Sequence, residues 1–210
     1  MSTITQILLK RLILLSLLLA GCGQNASISQ GPRILAYGDS VTYGAFTNHV
    51  SYVNNIASKL DIPFQNKAVS GTAMMSPNQY PLMMSDIWYK TDIIIFTPGA
   101  NDSSLSTNQD YLNEYASALQ GIVQKAISIG STLYIGTPLT PLNDSAGWSA
   151  PAVEVFANLN RQAVTNANNS NVVLIDFNLE YIPSTQDDAD TYHPNSLGYD
   201  QMTQIFLEAM

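Results

Sequence analysis

The sequence has 210 residues, of which 46% are apolar and only 11% are charged, and its formal net charge at pH 7 is −8. This length and apolar content predict one globular domain and argue against a disordered chain or a coiled coil. The acidic balance argues against a surface that tracks phosphates, so we expect no nucleic-acid partner.

The first predicted element is a lipoprotein signal peptide over residues 1–21. Two basic residues precede Leu12–Ala20, an uncharged stretch that is too short for the ~20 apolar residues of a membrane-spanning helix. It leads into Leu19–Cys22 (LAGC), which resembles a bacterial lipobox. The thiol of Cys22, the single cysteine of the chain, would then carry the lipid. The alternative is an ordinary secretory signal followed by an incidental cysteine.

The lipobox also predicts how the chain is divided and where it is located. Residues 22–32 are expected to be the lipidated cysteine and a flexible tether, and residues 33–210 the folded domain. We expect attachment to the bacterial cell envelope through the lipid on Cys22. Gly23, rather than Asp, follows that cysteine, which by resemblance to Gram-negative lipoproteins favours the outer membrane. A single cysteine allows no internal disulfide, so the core must supply the stability.

From Arg33 onward, strand-like runs alternate with helical runs. The predicted strands are Ile34–Tyr37, Phe64–Val69, Asp92–Phe96, Thr132–Ile135 and Val172–Asp176. The predicted helices are Val50–Leu60, Tyr111–Ile129, Ala152–Ala167 and Ser196–Met210. Gly130 is placed to end the second of these helices. Apolar strands separated by helices predict an α/β fold, a single doubly wound domain with a five-stranded parallel sheet and helices on both faces.

In such a sheet, ligands bind beyond the carboxyl ends of the strands. Ser40 directly follows the first predicted strand, in the sequence Gly38-Asp39-Ser40. A serine there can act as a nucleophile, or it can simply cap the next helix. The G-x-S-x-G elbow of ordinary α/β-hydrolases is absent, because Thr42 stands where the second glycine would be.

His193 is the candidate base for Ser40. A serine hydroxyl is a poor nucleophile until a base removes its proton, and histidine is the usual base. Asp190 precedes His193 by three residues and can hold the imidazole in the required tautomer. The second histidine, His49, has no acidic neighbour in sequence and is interpreted as structural. Asp187 and Asp188 are interpreted as solvated loop charges.

An acyl-transfer site also needs hydrogen-bond donors aimed at the developing oxyanion. Gly71 offers a backbone N–H that a substrate can approach closely, and Asn101 offers a side-chain amide just past the third strand. Each has an ordinary interpretation as well, Gly71 as a turn glycine and Asn101 as a loop residue that bonds its own backbone. The joint occurrence of all these residues in strand-end loops, or in the loop before the last helix, favours a hydrolytic site.

These residues form four short blocks that resemble, in order, those of the SGNH (GDSL-type) serine hydrolase family: Gly38-Asp39-Ser40, Ser70-Gly71, Gly99-Ala100-Asn101-Asp102 and Asp190-x-x-His193. The resemblance extends from Ile34 to Tyr199. It implies a flavodoxin-like strand order, with Ser40 as nucleophile and His193 as base oriented by Asp190. It also implies an oxyanion hole made of the Ser40 N–H, Gly71 and Asn101. Val41 stands where the family often has Leu, and this mild difference leaves the expected roles of the catalytic residues unchanged.

The resemblance implies a serine esterase that cleaves carboxylic esters through an acyl-enzyme, but it leaves the substrate open. Short acyl groups, O-acetylated carbohydrate included, are the first expectation. The alternatives are a thioesterase or lysophospholipase for longer acyl chains, acyl transfer to a sugar, or a non-catalytic glycan-binding lipoprotein. We expect a monomer that acts on a small ester or acylated glycan. No cofactor is expected, and two separated histidines with one cysteine cannot build a zinc site.

Two further features have unassigned roles. Trp148, in the loop from Pro138 to Pro151, is expected to overhang the site, where it would stack on a sugar ring or pin the loop. Four methionines flank the second block and would fill the core or line an acyl pocket: Met74, Met75, Met83 and Met84.

Overall fold

The computed structural model describes residues 31–144, 148–185 and 187–210. The predicted signal peptide over residues 1–21, the candidate lipidation site Cys22 and most of the predicted tether lie outside the described residues. Among the described residues, no helix combines the length and apolar character that crossing a membrane requires.

Five parallel strands form one sheet in the order β2-β1-β3-β4-β5. The strands are β1 (Ile34–Gly38), β2 (Phe64–Asn66), β3 (Ile93–Thr97), β4 (Thr132–Gly136) and β5 (Val172–Ile175). The chain passes from β1 to β2 on one side and then crosses to β3 on the other side. This reversal opens a crevice at the carboxyl ends of β1 and β3. The predicted doubly wound α/β fold and its flavodoxin-like strand order are therefore confirmed.

Eight helices connect and follow these strands in the described part of the chain. They are α1 (Ser40–Tyr43), α2 (Tyr52–Leu60), α3 (Tyr80–Ser85), α4 (Ala100–Leu105), α5 (Gln109–Ile129), α6 (Ala150–Ala167), α7 (Phe177–Glu180) and α8 (Ser196–Ala209). The four short helices α1, α3, α4 and α7 were not predicted. Three of them, α1, α4 and α7, begin within three residues of the carboxyl end of a strand and so shape the edge where the crevice opens.

Alternating side chains of each strand supply two separate cores, one on each face of the sheet. Ile34 and Ala36 of β1 pack with α2 and α8, whereas Leu35 and Tyr37 pack with α3, α5 and α6. β1 and β3 are buried on both faces, which explains their continuous apolar sequences. Helices thus cover both faces of the sheet, as the sequence predicts.

Helix α2 begins later than predicted. Val50 lies outside it and is half exposed, because Ser51 caps the helix. The Ser51 side chain accepts a hydrogen bond from the N–H of Val53, and Asn54 accepts one from the N–H of Ser51, which completes a capping box. The predicted strand Phe64–Val69 is also shorter, because only its first three residues pair with β1 at the edge of the sheet.

The longer helices agree with prediction to within two residues at their ends. Helix α5 begins at Gln109 because the Asn108 side chain accepts a hydrogen bond from the N–H of Tyr111. It ends at Gly130, whose left-handed conformation (φ 80°) satisfies the last carbonyls. In α8, Met202 and Phe206 are buried, whereas Leu197 in the first turn is 59% exposed.

Candidate active site

Ser40 lies at the junction between β1 and α1, in the crevice. Gly38 has φ 150°, and a Cβ atom there would lie 2.6 Å from the Thr42 hydroxyl and 3.1 Å from the Thr97 carbonyl, so only glycine fits this turn. The helix cap is Asp39, whose carboxylate accepts a hydrogen bond from the N–H of Val41 at 3.0 Å. The interpretation of Ser40 as the capping residue is therefore wrong, and its hydroxyl is available for another partner.

That partner is His193. The His193 Nε2 atom lies 2.8 Å from the Ser40 Oγ atom, and both residues are buried. On the other side of the ring, the His193 Nδ1 atom lies 2.8 Å from the nearer carboxylate oxygen of Asp190. The structure therefore brings Ser40, His193 and Asp190 into one hydrogen-bonded chain, although Ser40 and His193 are 153 positions apart in sequence.

The Asp190 carboxylate is held by its own loop. One of its oxygens accepts hydrogen bonds from the N–H groups of Tyr192, at 2.8 Å, and of His193, at 2.7 Å. Partial burial alone would raise the pKa of Asp190, but these bonds and the nearby imidazole lower it below its ordinary value. An ionised carboxylate at Nδ1 favours the tautomer that carries its proton on that nitrogen. The Nε2 lone pair then faces the serine hydroxyl.

The candidate oxyanion donors come from the ends of neighbouring strands. Asn101 lies in α4, just past β3, and its side-chain amide donates a hydrogen bond to the Thr72 carbonyl at 3.0 Å. That bond uses one of the two amide hydrogens and leaves the second available. Gly71 follows β2 with φ 77°, and a Cβ atom built on it would meet nothing within 4 Å. Among the described residues, no acceptor is found for the N–H of Ser40 or of Gly71.

Two buried side chains, Gln79 and Asp102, hold the loop of Gly71 in place. The sequence predicts no role for either of them. Gln79 donates hydrogen bonds from its amide to the Thr72 carbonyl at 2.7 Å and to the Thr72 hydroxyl at 2.9 Å. Asp102 accepts hydrogen bonds from the N–H of Met74 at 2.9 Å and from the Tyr111 hydroxyl at 2.7 Å. Burial raises the pKa of Asp102, and these two bonds oppose that shift. Asp102 belongs to the third sequence block, whereas no local pattern points to Gln79.

Asp39 is a buried carboxylate next to Ser40, only 1% exposed. Burial, with a smaller contribution from the charge of Asp102, raises the pKa of Asp39 to about 7, although the hydrogen bond from the N–H of Val41 lowers it. Burial likewise raises the pKa of Tyr52 to about 12. The buried region next to Ser40 therefore disfavours a negative charge on Asp39 or Tyr52.

The remaining titratable candidates lie elsewhere. His49 is on the surface, where its ring packs on the edge of the Tyr43 ring at 4.4 Å between centroids. Asp187 and Asp188 are half-buried, so their interpretation as solvated charges is wrong. Asp187 accepts a hydrogen bond from the Ser184 hydroxyl at 2.8 Å, and Asp188 accepts hydrogen bonds from the Tyr181 hydroxyl and from the Ser184 N–H. In the described ranges, no group of three or more His, Cys, Asp and Glu side chains could hold a metal ion.

In the described part of the chain, three aromatic rings surround His193. Trp148 is half-buried and stacks on Tyr192 at 5.3 Å between centroids, and both rings meet the His193 ring edge-on. Trp148 thus fixes its loop against the loop of the histidine. Phe46 also contacts the His193 ring, at 5.1 Å between centroids, but it is 69% exposed. Of the four methionines, Met74 and Met83 are buried in the core, whereas Met75 and Met84 are partly exposed.

Comparisons with known proteins give a family and a fold. The model of the GDSL-like lipase/acylhydrolase family matches residues 36–201. A search of curated proteins gave no match. A solved structure of a lipolytic G-D-S-L family protein from Veillonella parvula DSM 2008 is 21% identical, with a TM-score of 0.68 over 86% of this chain and 98% of that chain. A catalytic mutant of an acetylxylan esterase from Geobacillus stearothermophilus is 19% identical, with a TM-score of 0.66 over 86% and 95%. An α/β hydrolase from the metagenome of Lake Arreo, Spain, is 19% identical, with a TM-score of 0.66 over 84% and 94%.

Proposed function

Since the chain belongs to the GDSL-like lipase/acylhydrolase family, which makes it a carboxylic ester hydrolase, we propose that it is a serine esterase. In this proposal, Ser40 is the nucleophile, His193 is the general base and Asp190 is the residue that orients the base. The observation that carries the proposal is the 2.8 Å contact between the Ser40 Oγ and His193 Nε2 atoms, with the Asp190 carboxylate on the opposite ring nitrogen. A hydroxyl, an imidazole and a carboxylate that contact one another in this order form the arrangement that activates a serine.

Acylation follows from this geometry. The Ser40 hydroxyl attacks the ester carbonyl carbon while its proton passes to the Nε2 atom of His193. The negative charge that develops on the carbonyl oxygen meets the N–H groups of Ser40 and Gly71 and the free amide hydrogen of Asn101. The tetrahedral intermediate then collapses. The bond to the alcohol breaks, and His193 returns the proton to the leaving oxygen, which departs as the alcohol.

Deacylation repeats these steps with water in place of the alcohol. His193 removes a proton from water as its oxygen attacks the acyl carbon. The collapse of the second intermediate releases the carboxylic acid and restores the Ser40 hydroxyl with that proton. Each cycle therefore consumes one ester and one water and yields one acid and one alcohol, and Asp190 stays ionised throughout.

The acetylxylan esterase from Geobacillus stearothermophilus supports the assignment of roles. Its structures described as catalytic mutants replace a serine, an aspartate and a histidine, and the last two are three positions apart, as Asp190 and His193 are. We infer a short acyl group and an acylated carbohydrate as the substrate. The exposed position of Gly71, with open space over its Cα atom, favours a short acyl group over a long chain that would need an enclosing tunnel.

The direct test is hydrolysis of p-nitrophenyl acetate by wild-type protein and by Ser40→Ala. We expect the variant to lose at least 10³-fold in kcat. Ser131→Ala is a matched control, because Ser131 is a buried serine at the amino end of β4 whose hydroxyl has no partner among the described residues. It should keep wild-type activity. Equal activity of Ser40→Ala and wild type would refute the proposed nucleophile, and an inactive wild type would favour a non-catalytic glycan-binding protein.

We also propose that lipid on Cys22 attaches this esterase to the bacterial envelope. The support is the lipobox-like sequence Leu19–Cys22 after a short apolar stretch. Lipoprotein-type acylation with two or more chains gives stable anchoring, whereas one chain gives marginal anchoring. Cells expressing wild type should carry the activity in the membrane fraction, and Cys22→Ser should release it. An unmodified Cys22 in the intact mass of membrane-extracted protein would refute the anchor.

A further inference from the structure

Phe46 is a large apolar side chain that the fold leaves in solvent beside the reacting groups. Its ring is 69% exposed, yet it contacts the His193 ring at 5.1 Å between centroids with an interplanar angle of 51°. Trp148 and Tyr192, the other two rings around His193, pack on each other. Phe46 therefore presents open aromatic surface next to the base of the proposed mechanism.

The backbone conformation of Phe46 adds an independent observation. Phe46 has φ 67°, and Asn48 and His49 in the same loop have φ 51° and 66°. This left-handed region is disfavoured for residues with a Cβ atom, least so for Asn, and it is often found at functional sites. The loop gains nothing in the core from holding Phe46 this way, because the ring stays exposed.

Hydrogen bonds fix this loop relative to the serine. The N–H groups of Gly44 and Ala45 both donate to the Ser40 carbonyl, at 3.1 and 3.0 Å. The His49 N–H donates to the Gly44 carbonyl at 3.1 Å, and the Thr47 hydroxyl donates to the Val50 carbonyl at 2.7 Å. Phe46 is thus placed on a short, bonded loop that starts at the nucleophile.

The chemistry decides which part of the substrate meets this ring. The base that accepts the serine proton must return it to the leaving oxygen, so the alcohol oxygen has to lie within hydrogen-bond distance of the His193 Nε2 atom. The acyl carbonyl oxygen points instead toward the donors at the ends of β1, β2 and β3. The first atoms of the alcohol therefore lie next to His193, and of the three rings that contact it Phe46 is the exposed one.

We propose that Phe46 determines specificity for the alcohol moiety, and that it stacks on the apolar C–H face of a sugar ring whose acylated hydroxyl is the leaving group. This inference rests on the proposed function and deepens it. A flat ring that is exposed suits an alcohol that is apolar on one face and hydrated at its edges, because the hydroxyls stay in water while the C–H face is covered. An alkyl alcohol would need apolar walls on several sides.

The test compares two acetate esters that differ only in the alcohol, an acetylated methyl xylopyranoside and methyl acetate, with acetate release measured for both. Phe46→Ala should lower kcat/KM for the xyloside about tenfold, mainly through KM, in keeping with the loss of roughly 55 Å² of apolar contact. It should leave kcat/KM for methyl acetate within about twofold. Phe46→Tyr keeps the ring and should retain wild-type selectivity.

Ile87→Ala is the matched control, because Ile87 is similarly exposed at 66% but lies before β3, near the amino ends of the strands, where its carbonyl accepts a hydrogen bond from Arg33. Ile87→Ala should leave kcat/KM unchanged for both substrates. An equal loss of both activities in Phe46→Ala would overturn the inference, because the ring would then act only by positioning His193. An unchanged xyloside activity would overturn it as well. Failure of the proposed function is a separate result, namely methyl acetate hydrolysis that survives Ser40→Ala.

Discussion

The buried carboxylate of Asp39 should make the stability of this protein fall as pH rises, and Asp39→Asn should remove that fall. Burial raises the pKa of Asp39 in the folded state from 3.8 to about 7. The folded protein therefore holds this proton more tightly than the unfolded chain does. The stabilising contribution is complete below pH 3.8 and is lost as pH rises through 7.

The pKa values set the magnitude. A rise of about three pH units corresponds to a loss of about 4 kcal/mol in the free energy of unfolding between pH 3 and pH 8. Roughly 3 kcal/mol of this falls between pH 5 and pH 8. The amide of the Asp39→Asn variant would carry no charge to bury, and its oxygen can still accept the hydrogen bond from the N–H of Val41 that caps α1.

Urea unfolding of wild type and Asp39→Asn at pH 5 and pH 8 measures this effect. The free energy of unfolding of the variant minus that of wild type should increase by roughly 3 kcal/mol between the two pH values. A constant cost of fitting the amide cancels in this comparison, and so do the histidines, which both proteins share. Asp110→Asn removes an exposed carboxylate from the first turn of α5 and should follow the wild-type pH dependence. If the free energy of unfolding of wild type and of Asp39→Asn changed in parallel with pH, ionisation of the buried carboxylate would cost no stability. That result would refute this prediction.

Four further substitutions test the proposed mechanism, each measured as steady-state hydrolysis of p-nitrophenyl acetate. Asp190→Asn should keep the melting temperature and lower kcat about 10³–10⁴-fold, because an amide at Nδ1 favours the wrong tautomer; a loss below tenfold would contradict the orienting role. Asn101→Ala should lower kcat about 10²–10³-fold with little change in KM, since its amide bonds an oxyanion more strongly than a carbonyl; an effect confined to KM would remove it from the oxyanion hole. His49→Ala should keep most of the activity and His193→Ala should lose it, and the reverse pattern would refute the assignment of the base.

The parts of the fold that could be predicted are those whose pattern lies in consecutive residues. β3 is a continuous apolar run because it is buried on both faces, and α5 shows apolar spacing over its 21 residues. Edge strand β2 pairs over three residues only, so its apolar pattern is weak. Helices α1 and α4 have four and six residues, too few for a periodic pattern, and their position after a strand is their main signal.

The candidate site divides in the same way. Ser40, Asn101 and His193 could be found because each stands in a short block with a recognisable sequence. Gln79 could not, because its contact with Thr72 depends on how a loop folds back rather than on any local spacing. Phe46 carries no sequence signal either, since its significance comes from a contact with a residue near the other end of the chain.

His193 and Asp190, the proposed base and its orienting carboxylate, share one short loop, whereas Ser40, the proposed nucleophile, belongs to the first strand–helix junction. The Asp190 carboxylate accepts hydrogen bonds from the backbone N–H groups of Tyr192 and His193, so the loop holds the imidazole and the carboxylate in a fixed relative position. A displacement of this loop would therefore change the distance between the Ser40 Oγ and His193 Nε2 atoms and leave the contact between Asp190 and the His193 Nδ1 atom in place.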